Sequence, residues 1–155
     1  MPIPTTVVVS AIVRNPRREF LLIQHPVRGW EPPGGRIELG EDLGASLVRE
    51  VLEETGLTIC VGALMAVYQN IGEHSSLIFA FSGEPAGGEL RTSEESLAVG
   101  WFTADQALQS ISGPGTLRRF QDLLMLEAGQ IRYHSFTSAG HHTAAEYVIH
   151  THRIL

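Results

Sequence analysis

A chain of 155 residues, 43% hydrophobic and 18% charged, is long enough for one globular domain with its own core and too apolar to be disordered. Its formal charge of −6 argues against gripping a nucleic-acid polymer through the phosphate backbone, and no apolar run reaches the ~18 residues of a membrane span. A single cysteine, Cys60, and an opening MPIPTTVVV without a basic, cleavable leader predict a cytoplasmic protein.

In chain order, the β-branched run TTVVVSAIV (5–13) predicts a buried strand, and Arg14–Arg18 a turn into a second strand, Glu19–Gln24. The next eleven residues, HPVRGWEPPGG (25–35), hold three prolines and three glycines; they exclude a helix and predict a rigid loop. Residues 42–56 predict a helix with Asp42 as N-cap and Gly56 as its left-handed end. Leu43, Leu47, Val48, Val51 and Leu52 form its apolar stripe.

Strands follow at about 58–69 and 76–82, then a turn-rich connection GEPAGGEL (83–90) and a short strand, Leu97–Phe102. Residues 103–111 and 115–128 predict helices capped by Thr103 and Thr116, the second ended by Gly129. Without internal repeats, the predicted organisation is one mixed α/β domain over 1–129 and a C-terminal extension over 130–155. The extension can form a hairpin of Ile131–Phe136 with Tyr147–Ile154.

The chemistry concentrates in 35–57. Glu50, Glu53 and Glu54 stand at i, i+3 and i+4, so a helix places three carboxylates on one face, away from the Leu47/Val51 stripe. A solvated acidic face has that pattern too. Three details favour a site: the opposite apolar stripe, the preceding Pro-Pro-Gly-Gly turn whose carbonyls can approach a ligand, and Arg49 within reach of Glu53 and Glu41. Clustered carboxylates with a free carbonyl are hard oxygen donors suited to Mg²⁺ or Mn²⁺, and no Cys/His spacing competes for zinc.

Gly35, Glu41, Arg49-Glu50-Val51, Glu53-Glu54 and Gly56-Leu57 fall at the spacing G-x5-E-x7-R-E-U-x-E-E-x-G-U, with U aliphatic. This segment resembles the Nudix box at every defined position. The order of elements over 5–128 is compatible with the Nudix fold, an α/β class with a mixed β-sheet sandwiched between α-helices. The resemblance implies a metal-dependent enzyme that hydrolyses a nucleoside diphosphate linked to another moiety. It implies Glu50 and Glu54 as metal ligands, Glu53 as a ligand or the water-activating base, and the Gly34 carbonyl as a further ligand. Glu41 and Arg49 would brace the helix. In this family the base can also come from a later loop, where Glu94 and Glu95 are the candidates; a solvated turn is the alternative for both.

Downstream, the chain lacks the proline of ADP-ribose pyrophosphatases (70–76 read NIGEHSS) and the SQPWPFPxS array of NADH pyrophosphatases. Tyr68 comes too early for a dinucleoside polyphosphate hydrolase. What remains resembles small MutT-like enzymes that convert a (d)NTP, oxidised dGTP included, to a monophosphate and pyrophosphate. An ADP-ribose or nucleotide-sugar pyrophosphatase and a non-catalytic nucleotide sensor are the alternatives. The expected partner is a small phosphorylated nucleotide, with no nucleic acid polymer and no membrane; family precedent leaves a homodimer open.

Two residues ahead of the box are candidates for substrate binding. Trp30 can stack on a base or cover the core edge, and Arg28 can clamp a phosphate or remain an exposed turn charge. Pro32, where the family usually has an apolar residue, stiffens this loop. Tyr68, Gln69 and Asn70 are placed to read a base edge. Trp101-Phe102 and Cys60 read as core, and His25 as a turn residue. His134, His141, His142, His150 and His152 read as surface or hairpin histidines rather than a metal site.

Overall fold

The computed structural model describes residues 4–138 and 147–155, so His141 and His142 lie outside the described residues. The strands are β1 (Thr6–Val13), β2 (Phe20–His25), β3 (Gly29–Glu31), β4 (Gly34–Arg36), β5 (Leu57–Asn70), β6 (Ser76–Gly88), β7 (Val99–Phe102), β8 (Arg132–Thr137) and β9 (Val148–Ile154). The helices are α1 (Leu43–Thr55), α2 (Ala104–Ser110) and α3 (Pro114–Leu124). Among the described residues no helix is long and apolar enough to cross a membrane.

Six strands form a mixed sheet in the order β4-β1-β6-β5-β8-β9, parallel at β1/β6 and β5/β8. A second, antiparallel sheet has the order β3-β2-β7. The continuous apolar runs of β1 and β2 are explained by two cores. Val9, Ala11 and Val13 of β1 and Leu21 of β2 pack with Leu47 and Val51 of α1. Their neighbours Ile12, Phe20 and Leu22 face the other way, with Ala107 of α2, Phe120 and Leu123 of α3, and Tyr68. Alternation thus feeds both faces of the sheet layer, and helices cover each.

Helix α1 begins where Asp42 accepts from the Ala45 amide and ends where Gly56, at φ 78°, donates to the Leu52 carbonyl. A side chain at Gly56 would also overlap the Glu89 carbonyl. Thr103 and Gln106 close a capping box at α2.

Several expectations are corrected. Gly113 precedes α3 and Pro114 opens it, so Thr116 is not its cap; the helix stops at Leu124, before Gly129. GEPAGGEL is not a turn: β6 continues through it to Gly88, with Pro85 opposite Ile59 beside a register shift that tolerates its missing N–H. The 25–35 segment holds β3 and the start of β4, which belong to different sheets, with Pro32-Pro33 at the junction. Leu52 is exposed, outside the stripe formed by Leu47 and Val51. Cys60 is also exposed, because buried Leu57 and Ile59 set the inward parity of β5. His134 is fully buried and not a surface histidine. In the C-terminal segment β9 pairs antiparallel with β8, and β8 adds in parallel to β5.

Candidate active site

The β1–β4 ladder aims the backbone of the Pro-Pro-Gly-Gly segment. Ala11 N–H donates to the Pro33 carbonyl at 2.9 Å and Ile37 N–H to the Val7 carbonyl at 3.3 Å. In an antiparallel pair the intervening residues then turn their polar groups away from the partner strand. Gly34 and Arg36 occupy those positions, opposite Ser10 and Val8. Accordingly Gly34 N–H donates to Glu54 Oε2 at 2.9 Å, and the Arg36 carbonyl accepts from Arg49 Nη2 at 3.1 Å. The same alternation leaves the Gly34 carbonyl facing away from β1.

Both glycines stand at close approaches, Gly34 to backbone and Gly35 to the end of a side chain. A Cβ on Gly34 would overlap the Val9 carbonyl, and one on Gly35 would overlap the Glu50 carboxylate.

Arg49 is the hub of the carboxylates. Its Nε and Nη2 grip Glu41 bidentately at 2.6 and 2.9 Å, while Nη1 reaches Glu50 Oε1 at 2.9 Å and Glu53 Oε2 at 3.2 Å. The guanidinium beside Glu41 holds that carboxyl down at about 2 and is itself held above its ordinary range, chiefly by Glu41.

The supposed acidic face is divided. Glu53 is exposed, whereas Glu50 and Glu54 retain only 9% and 3% of their accessible surface. Burial pushes the Glu54 carboxyl up to about 8 against the pull of the Gly34 amide, and Glu50, Glu31 and Glu95 add to the rise. Burial also raises Glu50, against its bond to Arg49.

Two buried carboxylates, Glu54 on the Gly34 amide and Glu50 on the Arg49 guanidinium, form a set of hard oxygen donors that fits a divalent cation. Among the described residues no three acidic, histidine or cysteine side chains already surround one metal centre. Glu50 and Glu53 both lean on Arg49 instead.

Three contributors were missed in the sequence. Glu31 of β3 forks with Arg28, Nη2 to Oε1 at 2.7 Å and Nε to Oε2 at 3.0 Å, and its charge acts on Glu54. Ser96 is fully buried and donates to the Glu54 carbonyl at 2.5 Å. Ser46 donates to the Arg36 carbonyl at 3.5 Å. The position of Glu31 beside Pro32-Pro33 and the Ser-Glu-Glu-Ser pattern at 93–96 were the available signals. Glu94 and Glu95 are both exposed, and the charge of Glu95 acts on Glu50, Glu54 and Arg28.

Trp30 packs edge-on against Phe102, ring centroids 4.7 Å apart, at the border of the α2/α3 core. His25 Nδ1 accepts the Val27 and Arg28 amides, as a turn residue does. Tyr68 is buried, its hydroxyl donating to the Arg119 carbonyl at 3.4 Å, so it is core and no base reader. Gln69 accepts from the Tyr133 hydroxyl at 2.9 Å, and Asn70 is buried.

A mixed sheet between helices, with a loop–helix of buried carboxylates against its edge strand, is the architecture of one hydrolase fold. Residues 4–123 match the family model of the NUDIX domain, and the chain belongs to that family. It is a Nudix hydrolase, an enzyme acting on phosphoric anhydrides. A MutT-like protein of Streptomyces ambofaciens is 38% identical over 112 residues, which cover 72% of this chain and 71% of that protein. The 8-oxo-dGDP phosphatase NUDT18 of Mus musculus is 35% identical over 130 residues, 79% of this chain but only 38% of the mouse protein. The crystal structure of a MutT protein from Bacillus halodurans superposes with a TM-score of 0.74 at 25% identity, covering 96% of this chain and 97% of the other.

Proposed function

We propose that the protein is a MutT-like nucleoside triphosphate pyrophosphohydrolase, with oxidised guanine nucleotides among its substrates and Mg²⁺ or Mn²⁺ as cofactor. The observation that carries the site is Glu54: a buried carboxylate, fixed by the Gly34 amide, beside a second buried carboxylate. The MutT-like relative supports the substrate class, and the relative named for 8-oxo-dGDP supports the oxidised base.

Glu50 and Glu54 would hold the cation, joined by the Gly34 carbonyl and by Glu53. When bound, the cation would neutralise polyphosphate charge and lower the pKa of a coordinated water. The remaining work belongs to the chain. Arg49, clamped by Glu41, keeps Glu50 turned into the site; Gly35 leaves room for it. Glu95, whose charge reaches both buried carboxylates, or Glu53 takes the proton of the attacking water. Oxygen–phosphorus bond formation then displaces the phosphate oxygen on the far side. Arg28, half exposed and bordering the cluster, meets the phosphates of the substrate.

The test is a substrate panel with Mg²⁺: dGTP, 8-oxo-dGTP, 8-oxo-dGDP and ADP-ribose. Pyrophosphate release from the triphosphates is expected. Two monophosphates from ADP-ribose alone, or tight nucleotide binding with no turnover, would overturn the assignment.

A further inference from the structure

We infer that Ser96 is a positioning residue: its buried hydroxyl fastens the loop that carries Glu95 to the backbone of Glu54, at the C-terminal end of α1. The inference rests on reading Glu95 as the proton acceptor.

The end of a helix leaves its last carbonyls without intrahelical donors. In α1 two of these are satisfied by one loop: Thr55 by the Arg91 amide at 2.9 Å, and Glu54 by Ser96 Oγ–H at 2.5 Å. The following residues join β2, through Leu97 N–H to the Gln24 carbonyl at 2.9 Å and Gln24 N–H to the Ala98 carbonyl at 2.8 Å. The loop is thus anchored on both sides of its tip.

Between the anchors, Ser93 and Ser96 exchange amide–carbonyl bonds at 3.1 and 3.3 Å, and Glu94-Glu95 form the tip of that closed turn. Ser96 Oγ also accepts from the Ser93 amide and lies 2.9 Å from Ser93 Oγ. With its proton on the Glu54 carbonyl, the Ser96 hydroxyl therefore has its full complement of partners. The Glu95 amide closes on Ser93 Oγ at 3.2 Å, so the backbone of Glu95 is set by the same serine pair.

The consequence is a rigid link between two functional groups. Ser96 bonds the main chain of the residue whose carboxylate is the candidate ligand, and neighbours the residue whose carboxylate is the candidate base. Any shift of α1 carries the turn with it, and the spacing of base and ligand is preserved.

Steady-state kinetics with 8-oxo-dGTP and Mg²⁺, across pH, test this with Ser96→Ala, Glu95→Gln and the double variant. Glu95→Gln is expected to lower kcat by ~100-fold and to flatten the acid limb of the kcat profile. Ser96→Ala is expected to lower kcat by at least ~10-fold, with KM little changed and the same limb altered. The double variant should be no slower than Glu95→Gln alone. Should Ser96→Ala not fold, Ser93→Ala, which removes the acceptor of the Glu95 amide at the more accessible end of the turn, must show the same loss and the same non-additivity. Wild-type kcat in the serine variant, or a loss that multiplies in full with that of Glu95→Gln, overturns the inference while the Glu95 reading stands. A Glu95→Gln enzyme with wild-type kcat and pH profile removes the Glu95 reading, and the role of Ser96 with it.

Discussion

Glu54 Oε2 accepts the amide of Gly34 at 2.9 Å, a bond across twenty residues that ties the last turn of α1 to the edge strand β4. It holds a carboxylate in a place where burial disfavours its charge, and the neighbouring Glu50 makes that charge less favourable still. Such an arrangement costs stability in isolation, a cost that the proposed cation would offset.

Gly35→Ala places a methyl group on the Glu50 carboxylate, which is also bonded to Arg49. Glu50 has to leave its position. Mn²⁺ affinity, read by calorimetry, is expected to fall ~10–100-fold, with little change in thermal melting.

Arg49→Lys keeps the charge and loses the fork. One ammonium cannot grip Glu41 bidentately while reaching Glu50 and Glu53. Turnover should drop by ~10–100-fold, and Arg49→Ala should be at least as damaging. Equal activity of the lysine variant and the wild type would show that the guanidinium geometry is irrelevant.

His134 predicts the acid side of the stability curve. It is fully buried, with Nε2 2.6 Å from the Tyr147 hydroxyl and Nδ1 3.6 Å from Asp122. Burial lowers it from 6.5 to about 4, opposed by Asp122 and reinforced by Arg119, His152 and Arg118. Above pH 6.5 the ring is neutral in both folded and unfolded chains, and its stabilising contribution is complete. As pH falls from 6.5 towards 4 the unfolded chain binds the proton first, so that contribution is lost. Chemical denaturation across this window should show stability declining with acid, and His134→Gln should flatten the slope.

Cys60, exposed on β5, should be modified by a thiol reagent in the native protein, without prior unfolding. Reaction only after unfolding would place it in the core after all. Cys60→Ser is expected to leave melting unchanged.

The geometry of the candidate site was legible in the sequence where partners are local, and obscure where they come from distant strands. The helix limits at Asp42 and Gly56 follow from local capping, so short-range pattern sufficed. The division of the three glutamates does not: i, i+3, i+4 spacing places Glu50, Glu53 and Glu54 together, and tertiary packing, β4 included, buries Glu50 and Glu54 while Glu53 stays out. Trp30 takes the core-edge alternative against Phe102, and Tyr68, read as a contact for a base edge, is buried in the α2/α3 core, because sheet pairing sets their faces. Pro85 and the surrounding glycines suggested a turn, yet a bulge next to Ile59 lets β6 run on. Ser96 and Glu31 escaped notice because a buried serine hydroxyl and an ion-paired glutamate have no periodic signature.

The most direct test of the central claim, that the buried carboxylates of α1 hold the catalytic cation, is the turnover of Glu54→Gln at saturating Mg²⁺. The amide preserves size and removes the charge. The expected result is a native melting profile and a kcat at least ~100-fold below wild type. A kcat close to wild type under the same conditions would contradict the site.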